Sequence, residues 1–317
     1  MEGPRILVLR QKIHGLDASA YADALEDRLP DVEITLATTP DEERSALETA
    51  TVATGLELNE AALDSAANLE LFACVFAGTS HLDLAAFEQR DIVVTNASGV
   101  HGPNVAEFVI GGMIQHTHQF ETARQQQSDR RWQSYQTDEL AGSTATIVGL
   151  GAIGEAIARR LAAFEMELVG VRYSPEKGGP VDEVYGFDEL HEAIVDSQYV
   201  LLACPLTDET VGLIDADVFR TMESDALLVN VARGPVIDTE ALVEAMRTNA
   251  IGGAVLDVTD PEPLPEEHPL WGFTNVFITP HNAGQTPAYF DRLSDIVAEN
   301  ISRLREGEKD DLQNRVI

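Results

Sequence analysis

Lysine is nearly missing from this chain. Only Lys12, Lys177 and Lys309 occur, and 21 basic residues stand against 54 acidic ones, for a formal net charge of −33 over 317 residues. So little positive charge excludes nucleic acid as a partner, because binding a phosphate backbone needs clustered Lys and Arg. The acid is spread along the whole chain and not gathered in a tail, so it reads as the solvated surface of a folded protein. Self-repulsion on this scale weakens the compact state unless salt screens it, and at molar salt the Debye length falls to about 3 Å. This points to a salt-in halophile, expected to be archaeal. Cysteine is scarce too: Cys74 and Cys204 both lie in apolar, strand-like runs and read as buried free thiols in a reducing compartment. No apolar run reaches membrane-spanning length. The N-terminus, Met1-Glu-Gly-Pro-Arg, leads straight into apolar Ile6–Leu9 with no signal-peptide pattern, so a cytoplasmic location is expected.

What is present fits an α/β protein. Hydrophobic residues make up 44% and aromatics 6%, and the length predicts two domains. Strands are predicted at Ile6–Leu9, Val32–Ala37, Leu69–Phe76 and Ile92–Thr95, with a helix at Ala18–Leu29 and a long buried helix at Val105–Thr117. After residue 144 the strand–helix rhythm resumes at Leu168–Val171, Tyr199–Ala203, Leu227–Asn230, Gly252–Leu256 and Val276–Ile278. A helix over Asp238–Asn249 is capped by Asp238, and an amphipathic helix covers Pro287–Glu306. Alternation of this kind predicts two doubly wound parallel sheets.

The most specific segment is Ala145-Thr-Ile-Val-Gly-Leu-Gly-Ala-Ile-Gly154, an apolar strand running into Gly149, Gly151 and Gly154, then a helix through Glu155-Ala-Ile-Ala-Arg-Arg-Leu. One glycine permits a tight turn, another lets backbone approach a pyrophosphate, and the third brings helix against strand. The helix N-terminus offers free N–H groups to phosphates. The segment predicts dinucleotide binding.

Three further segments follow strands, at the edge where open parallel sheets bind ligands. Leu228-Val-Asn-Val-Ala-Arg-Gly234 places Arg233 where its fork can hold a carboxylate. Leu256-Asp-Val-Thr-Asp-Pro-Glu-Pro263 places Glu262 between two prolines. Ile278-Thr-Pro-His-Asn-Ala-Gly284 places His281 as an acid/base candidate. His116 and His118 sit two apart on an apolar helix and face different sides, so no metal site is predicted. His81 and His101 are candidates for the border of a substrate cleft, with the structural reading favoured.

In this order, with Cys204-Pro-Leu-Thr-Asp-Glu-Thr210 between them, these segments resemble the D-isomer-specific 2-hydroxyacid dehydrogenases. That family includes glyoxylate/hydroxypyruvate reductases and phosphoglycerate dehydrogenases. The resemblance spans most of the chain, taking in Phe76-Ala-Gly-Thr-Ser-His-Leu-Asp83, Val105-Ala-Glu107, Trp132, Glu139-Leu-Ala-Gly142, Asn300 and the tail from Gly307 to Val316. It implies a flavodoxin-like substrate domain of residues 1–98 plus 287–317, a Rossmann cofactor domain of residues 99–286, an active-site cleft between them and hinges near 98–104 and 284–290. It implies stereospecific, reversible reduction of a 2-keto acid to a D-2-hydroxy acid by hydride from NAD(P)H, with His281 as general acid/base. Glu262 would orient the imidazole and favour its acid form. Arg233, with backbone at Ala77 and Gly78, would hold the substrate carboxylate. Gly149, Leu150, Gly151, Ala152, Ile153 and Gly154 would line the pyrophosphate. Cys204, Pro205 and Thr210 would border the adenosine half. Val105 and Val231 would lie near the nicotinamide, Asp257 near its carboxamide, and Gly284 at the cofactor site's rim. Homodimerisation through the cofactor domain is also implied.

The departures carry information. The second strand of the cofactor domain ends Val169-Gly-Val-Arg-Tyr-Ser-Pro-Glu-Lys177, without the acid that holds a ribose 2′-hydroxyl. Arg172, Tyr173 and Ser174 can meet a 2′-phosphate, so NADP(H) preference is predicted, with NAD(H) tolerated. Phe108 and Asn282 replace residues common in the family, and Glu262 argues against formate dehydrogenase. The chain stops soon after its last predicted helix, so the regulatory domain of longer phosphoglycerate dehydrogenases is not expected. The competing reading is an NAD(H)-sensing, corepressor-like binding protein of the same superfamily.

Overall fold

The computed structural model describes residues 3–11 and 15–317. Met1 and Glu2, where the signal-peptide reading began, and residues 12–14, including Lys12, lie outside the described residues. The chain divides into two compact units, Met1–Val100 with Gln285–Ile317, and His101–Gly284.

In the first unit five strands, β1 (Arg5–Val8), β2 (Glu33–Leu36), β3 (Val52–Gly55), β4 (Leu71–Cys74) and β5 (Val93–Thr95), form a sheet in the order β2-β1-β3-β4-β5. Every pairing is parallel. Helices α1 (Ala18–Arg28), α2 (Pro40–Leu47), α3 (Glu60–Ser65) and α4 (Leu84–Glu88) link the strands. β3 is absent from the sequence reading, and it lies at the centre of the sheet. All four of its residues are buried, so it lacks the in–out alternation that identifies a strand. The strand predicted over Leu69–Phe76 is shorter, because only Leu71–Cys74 pairs with neighbours.

The second unit opens with α5 (Gly102–Thr117) and α6 (Phe120–Ser128), followed by an irregular, almost wholly exposed stretch to residue 139. Then come β6 (Thr144–Val148), α7 (Ala152–Leu161), β7 (Glu167–Val171), β8 (Glu183–Tyr185), α8 (Leu190–Ile194) and β9 (Tyr199–Leu202). They are followed by α9 (Ala216–Thr221), β10 (Leu227–Asn230), α10 (Thr239–Thr248), β11 (Gly253–Leu256) and β12 (Val276–Ile278). The final helix, α11 (Tyr289–Glu306), returns to the first unit. There Tyr289, Phe290, Leu293 and Val297 share a core cluster with Tyr21 and Leu25.

The seven-stranded parallel sheet runs β12-β11-β10-β9-β6-β7-β8. β9, β10 and β11 are buried at every position, as strands covered by helices on both faces must be. Edge strand β8 and helix α6 were not foreseen; β8 is three residues long and partly exposed, too short for a periodic signal. Asp238 caps α10 as expected, its side chain accepting the Ala241 N–H at 3.0 Å. Strand order reverses between β6 and β9, the switch point where such sheets open a ligand crevice.

Candidate functional site

The glycine turn after β6 is dictated by contacts. Gly149 has φ +105°, and a Cβ there would stand 2.4 Å from the Cys204 backbone nitrogen, at the end of the adjacent β9. A Cβ on Gly154 would meet the Gly149 carbonyl oxygen at 2.0 Å, so α7 lies against β6 only because that atom is missing. Gly151 differs: a Cβ would meet nothing within 4 Å. Its backbone caps α7 beside open space, the cradle that a pyrophosphate needs at a helix N-terminus. Leu150 is buried at 2%, so only its backbone is placed to face a phosphate. Ala152 is exposed and Ile153 half-buried. A dinucleotide therefore fits here.

Neighbouring strand ends complete the crevice. Val105 on α5 and Val231 after β10 are buried in one apolar cluster with Leu150 and Ala283. Cys204 is buried, and burial pushes its thiol up to about 11, which leaves it protonated and unreactive. Pro205 is exposed, while Thr210 is buried at 2% and donates its hydroxyl to the Pro205 carbonyl at 2.6 Å. Thr210 thus knots its loop from inside. At the end of β7, Arg172 Nη1 donates to the Gly178 carbonyl at 2.6 Å. Tyr173 is 76% exposed and Ser174 half-buried.

The chemistry-bearing side chains come from three adjacent strand ends. His281 Nδ1 lies 3.1 Å from Glu262 Oε2, and Glu262 Oε1 accepts the Thr259 N–H at 3.0 Å. Arg233 is exposed after β10, with Nη1 resting on the Ala232 carbonyl at 2.6 Å. His281 has φ +56°, a left-handed conformation that costs a non-glycine residue of order 1 kcal/mol and persists only when its surroundings hold it. Asp257 holds it. The His281 N–H donates to the Asp257 carbonyl at 2.9 Å. The carboxylate, 3% exposed, accepts the Thr279 hydroxyl at 2.6 Å, the Asn282 N–H at 2.7 Å and the Ala283 N–H at 2.9 Å.

Beyond the place near the nicotinamide carboxamide that the resemblance implies for Asp257, its carboxylate gathers the histidine loop. Three helpers were missed: Thr279, Asn104, whose Nδ2 donates to the Ala283 carbonyl at 2.6 Å, and Asn230. His101 Nδ1 is 3.0 Å from the Gly284 carbonyl. In the first unit, Ala77 and Gly78 are exposed after β4, and Asn96 Nδ2 donates to the Ala77 carbonyl at 2.8 Å. His81 Nε2 lies 2.9 Å from the Leu56 carbonyl.

A cavity of about 1370 Å³ in the second unit lies elsewhere. It is lined by Ser143, Gln198, Asp225, Gly252 and Asn275, residues at the beginnings of the strands, and so opens at the edge opposite the crevice. No helix among the described residues is long and apolar enough to cross a membrane.

Comparison with known proteins bears on this geometry. The family model described as D-isomer specific 2-hydroxyacid dehydrogenase, NAD binding domain, matches residues 110–283. A glyoxylate reductase of Thermofilum pendens is 38% identical over 255 residues, 78% of this chain and 75% of that protein. The human glyoxylate reductase/hydroxypyruvate reductase is 32% identical, covering 78% and 77%. A solved D-isomer specific 2-hydroxyacid dehydrogenase from Xanthobacter autotrophicus Py2, in complex with NADPH and MES, superposes with a TM-score of 0.79. It has 28% identity and covers 99% of this chain and 98% of that one.

Proposed function

The chain belongs to the D-isomer specific 2-hydroxyacid dehydrogenase family, and from that premise we propose that it reduces a small 2-keto acid of the glyoxylate class to its D-2-hydroxy acid, with NADPH preferred. The observation that carries the reading is the exposed His281–Glu262 pair at 3.1 Å, at the same edge of the sheet as a glycine turn shaped for a dinucleotide. The backbone of Gly149–Gly154 would hold a nicotinamide cofactor, which when bound would supply the hydride. Arg233 holds the substrate carboxylate. With Nδ1 engaged by Glu262, His281 presents Nε2 to the keto oxygen and donates the proton that completes the alcohol. Asp257 keeps that ring in place through the loop it gathers.

The relatives' names support the substrate class, and the NADPH of the Xanthobacter structure supports the cofactor. Preference for the 2′-phosphate rests on Arg172, Tyr173 and Ser174 and on the absence of an acid at the end of β7. A homodimer through the second unit is proposed with it. The exposed stretch after α6 carries Trp132 at 104% exposure, and the open cavity of the same unit is walled in part by half-exposed Trp271 and Phe277. Exposed aromatic side chains in polar surroundings are of the kind that interfaces cover.

Absorbance of the reduced nicotinamide in molar KCl, with glyoxylate, hydroxypyruvate and larger 2-keto acids, tests the reading. Rapid oxidation of NADPH, slower with NADH and fastest with the smallest acids, is expected. Cofactor binding without turnover on any acid would replace it with the nicotinamide-sensing alternative.

A further inference from the structure

We propose that Asn230 is a positioning residue for Arg233, setting the affinity for the substrate carboxylate without touching it. This rests on the reading of Arg233 given above. Asn230 ends β10 and is wholly buried, at 0% exposure. Its side-chain amide is used at both ends. Oδ1 accepts the Ala232 N–H at 2.9 Å, and Nδ2 donates to the Arg233 carbonyl at 3.0 Å. The two partners fix the orientation of the amide, because an N–H can only donate and a carbonyl can only accept. The amide therefore spans the 232–233 turn like a brace. The peptide that lies between the two it grips seats the guanidinium, since Arg233 Nη1 donates to the Ala232 carbonyl at 2.6 Å. The Asn230 backbone carbonyl accepts the Asp257 N–H at 3.0 Å. The residue that braces the arginine turn is thus bonded to the one that gathers the histidine loop.

The far side of the turn is equally constrained. A Cβ on Gly234 would stand 1.9 Å from the Thr259 carbonyl oxygen and 2.7 Å from the Asp260 nitrogen. The backbone after Arg233 is therefore packed directly on the segment that leads to Glu262. Arg233 is held between two fixed points, one of them a side chain that can be changed by a single atom.

Asn230→Asp makes that change. It keeps the acceptor for Ala232 and replaces the donor with an acceptor facing the Arg233 carbonyl. A buried pair of facing acceptors pushes the turn apart. KM for the keto acid is expected to rise about tenfold, with kcat changed less than KM and nicotinamide binding, read by fluorescence, unchanged. Acidification protonates the new carboxyl and restores an O–H donor, so the excess KM over the unmutated protein should shrink as pH falls. A residue that merely stabilised the fold would lower the melting temperature and the active fraction, leaving KM and its pH dependence alone. That result overturns the proposal. If Asn230→Asp does not fold, Asn230→Ser carries the test, being uncharged but too short to reach both partners, and it should show the same rise in KM. Arg233→Ala measured beside them separates the two ideas. Unmutated kinetics in Arg233→Ala would remove the carboxylate reading itself. An impaired Arg233→Ala with unchanged KM in the Asn230 variants would remove only the brace.

Discussion

His281 and His116 stand at opposite edges of the same seven-stranded sheet, and they have become different kinds of residue. His116, in the last turn of α5, lines the cavity at the beginnings of the strands. Burial pushes its imidazole below the ordinary range, against the opposing pull of a hydrogen bond with the Asp225 backbone and the carboxylates of Asp138 and Asp225. His281, at the strand ends, is exposed beside Glu262 in a loop gathered by a buried aspartate. A histidine in a dry environment is a neutral packing group; one with solvent on one side and a carboxylate on the other is equipped to move protons. The same contrast runs along both edges. At the strand ends, buried polar side chains (Asn230, Asp257, Thr210) are spent on backbone geometry, and Arg233, Glu262 and His281 are left exposed for a ligand. At the strand beginnings the exposed groups are aromatic Trp271 and Phe277 among carboxylates such as Asp138 and Asp225.

The strongest way to break the comparison is to exchange the two histidines' expected roles. His281→Ala should lower kcat by about 10²- to 10⁴-fold, the usual range for a lost acid/base group, with nicotinamide binding preserved. His116→Gln should leave kcat within about twofold. Steady-state kinetics on both variants decides it. A His281→Ala enzyme with unaltered turnover would remove the proton donor from the mechanism. A large loss in His116→Gln would mean that the two edges are not functionally separate.

A smaller effect sharpens the contrast within the strand-end edge. The turn after β6 is fixed by backbone clashes at Gly149 and Gly154, whereas the end of β7 is open, with Tyr173 largely exposed. Binding as such should therefore belong to the first turn and discrimination to the second. Arg172→Ala is expected to weaken NADPH about tenfold, the scale of one charge-assisted contact to a phosphate, and to leave NADH unchanged. Equal weakening of both cofactors, measured by fluorescence titration, would instead assign Arg172 to the support of its own loop through Gly178.

How far these differences were legible follows from the same physics. The glycine turn could be read because its constraint is local in sequence: a strand, three glycines and a helix within 17 residues, 145–161. Arg233, Glu262 and His281 were weak candidates singly and took their roles from the family resemblance, and only the fold shows them on adjacent strand ends. Asn230 and Thr279 were invisible because a polar residue at a strand end reads as the start of a loop, and Asn104 because a polar residue in the first turn of a helix reads as solvated, unless their distant partners are known. β3 was missed for the opposite reason: Val52-Ala-Thr-Gly55 is buried on both faces and leaves no periodic trace. Trp132 was noticed only as part of a family pattern, and its full exposure needed coordinates.

The smallest effect concerns His116 and pH. An imidazole held below its unfolded value of about 6.5 favours the folded state while it is neutral. Its contribution is therefore complete above that value and is lost as pH falls through the lowered folded value, where folding has to accommodate a buried cation. His116→Gln has no proton to gain. The unmutated protein should lose melting temperature relative to His116→Gln as pH drops below about 6.5, by on the order of a degree or two, with the two converging to a constant offset above it. Comparing the two proteins at each pH in the same molar KCl cancels the carboxylate titrations they share. If the difference does not vary with pH, the carboxylates of Asp138 and Asp225 offset the burial of His116, and the opposition between the two edges rests on exposure alone.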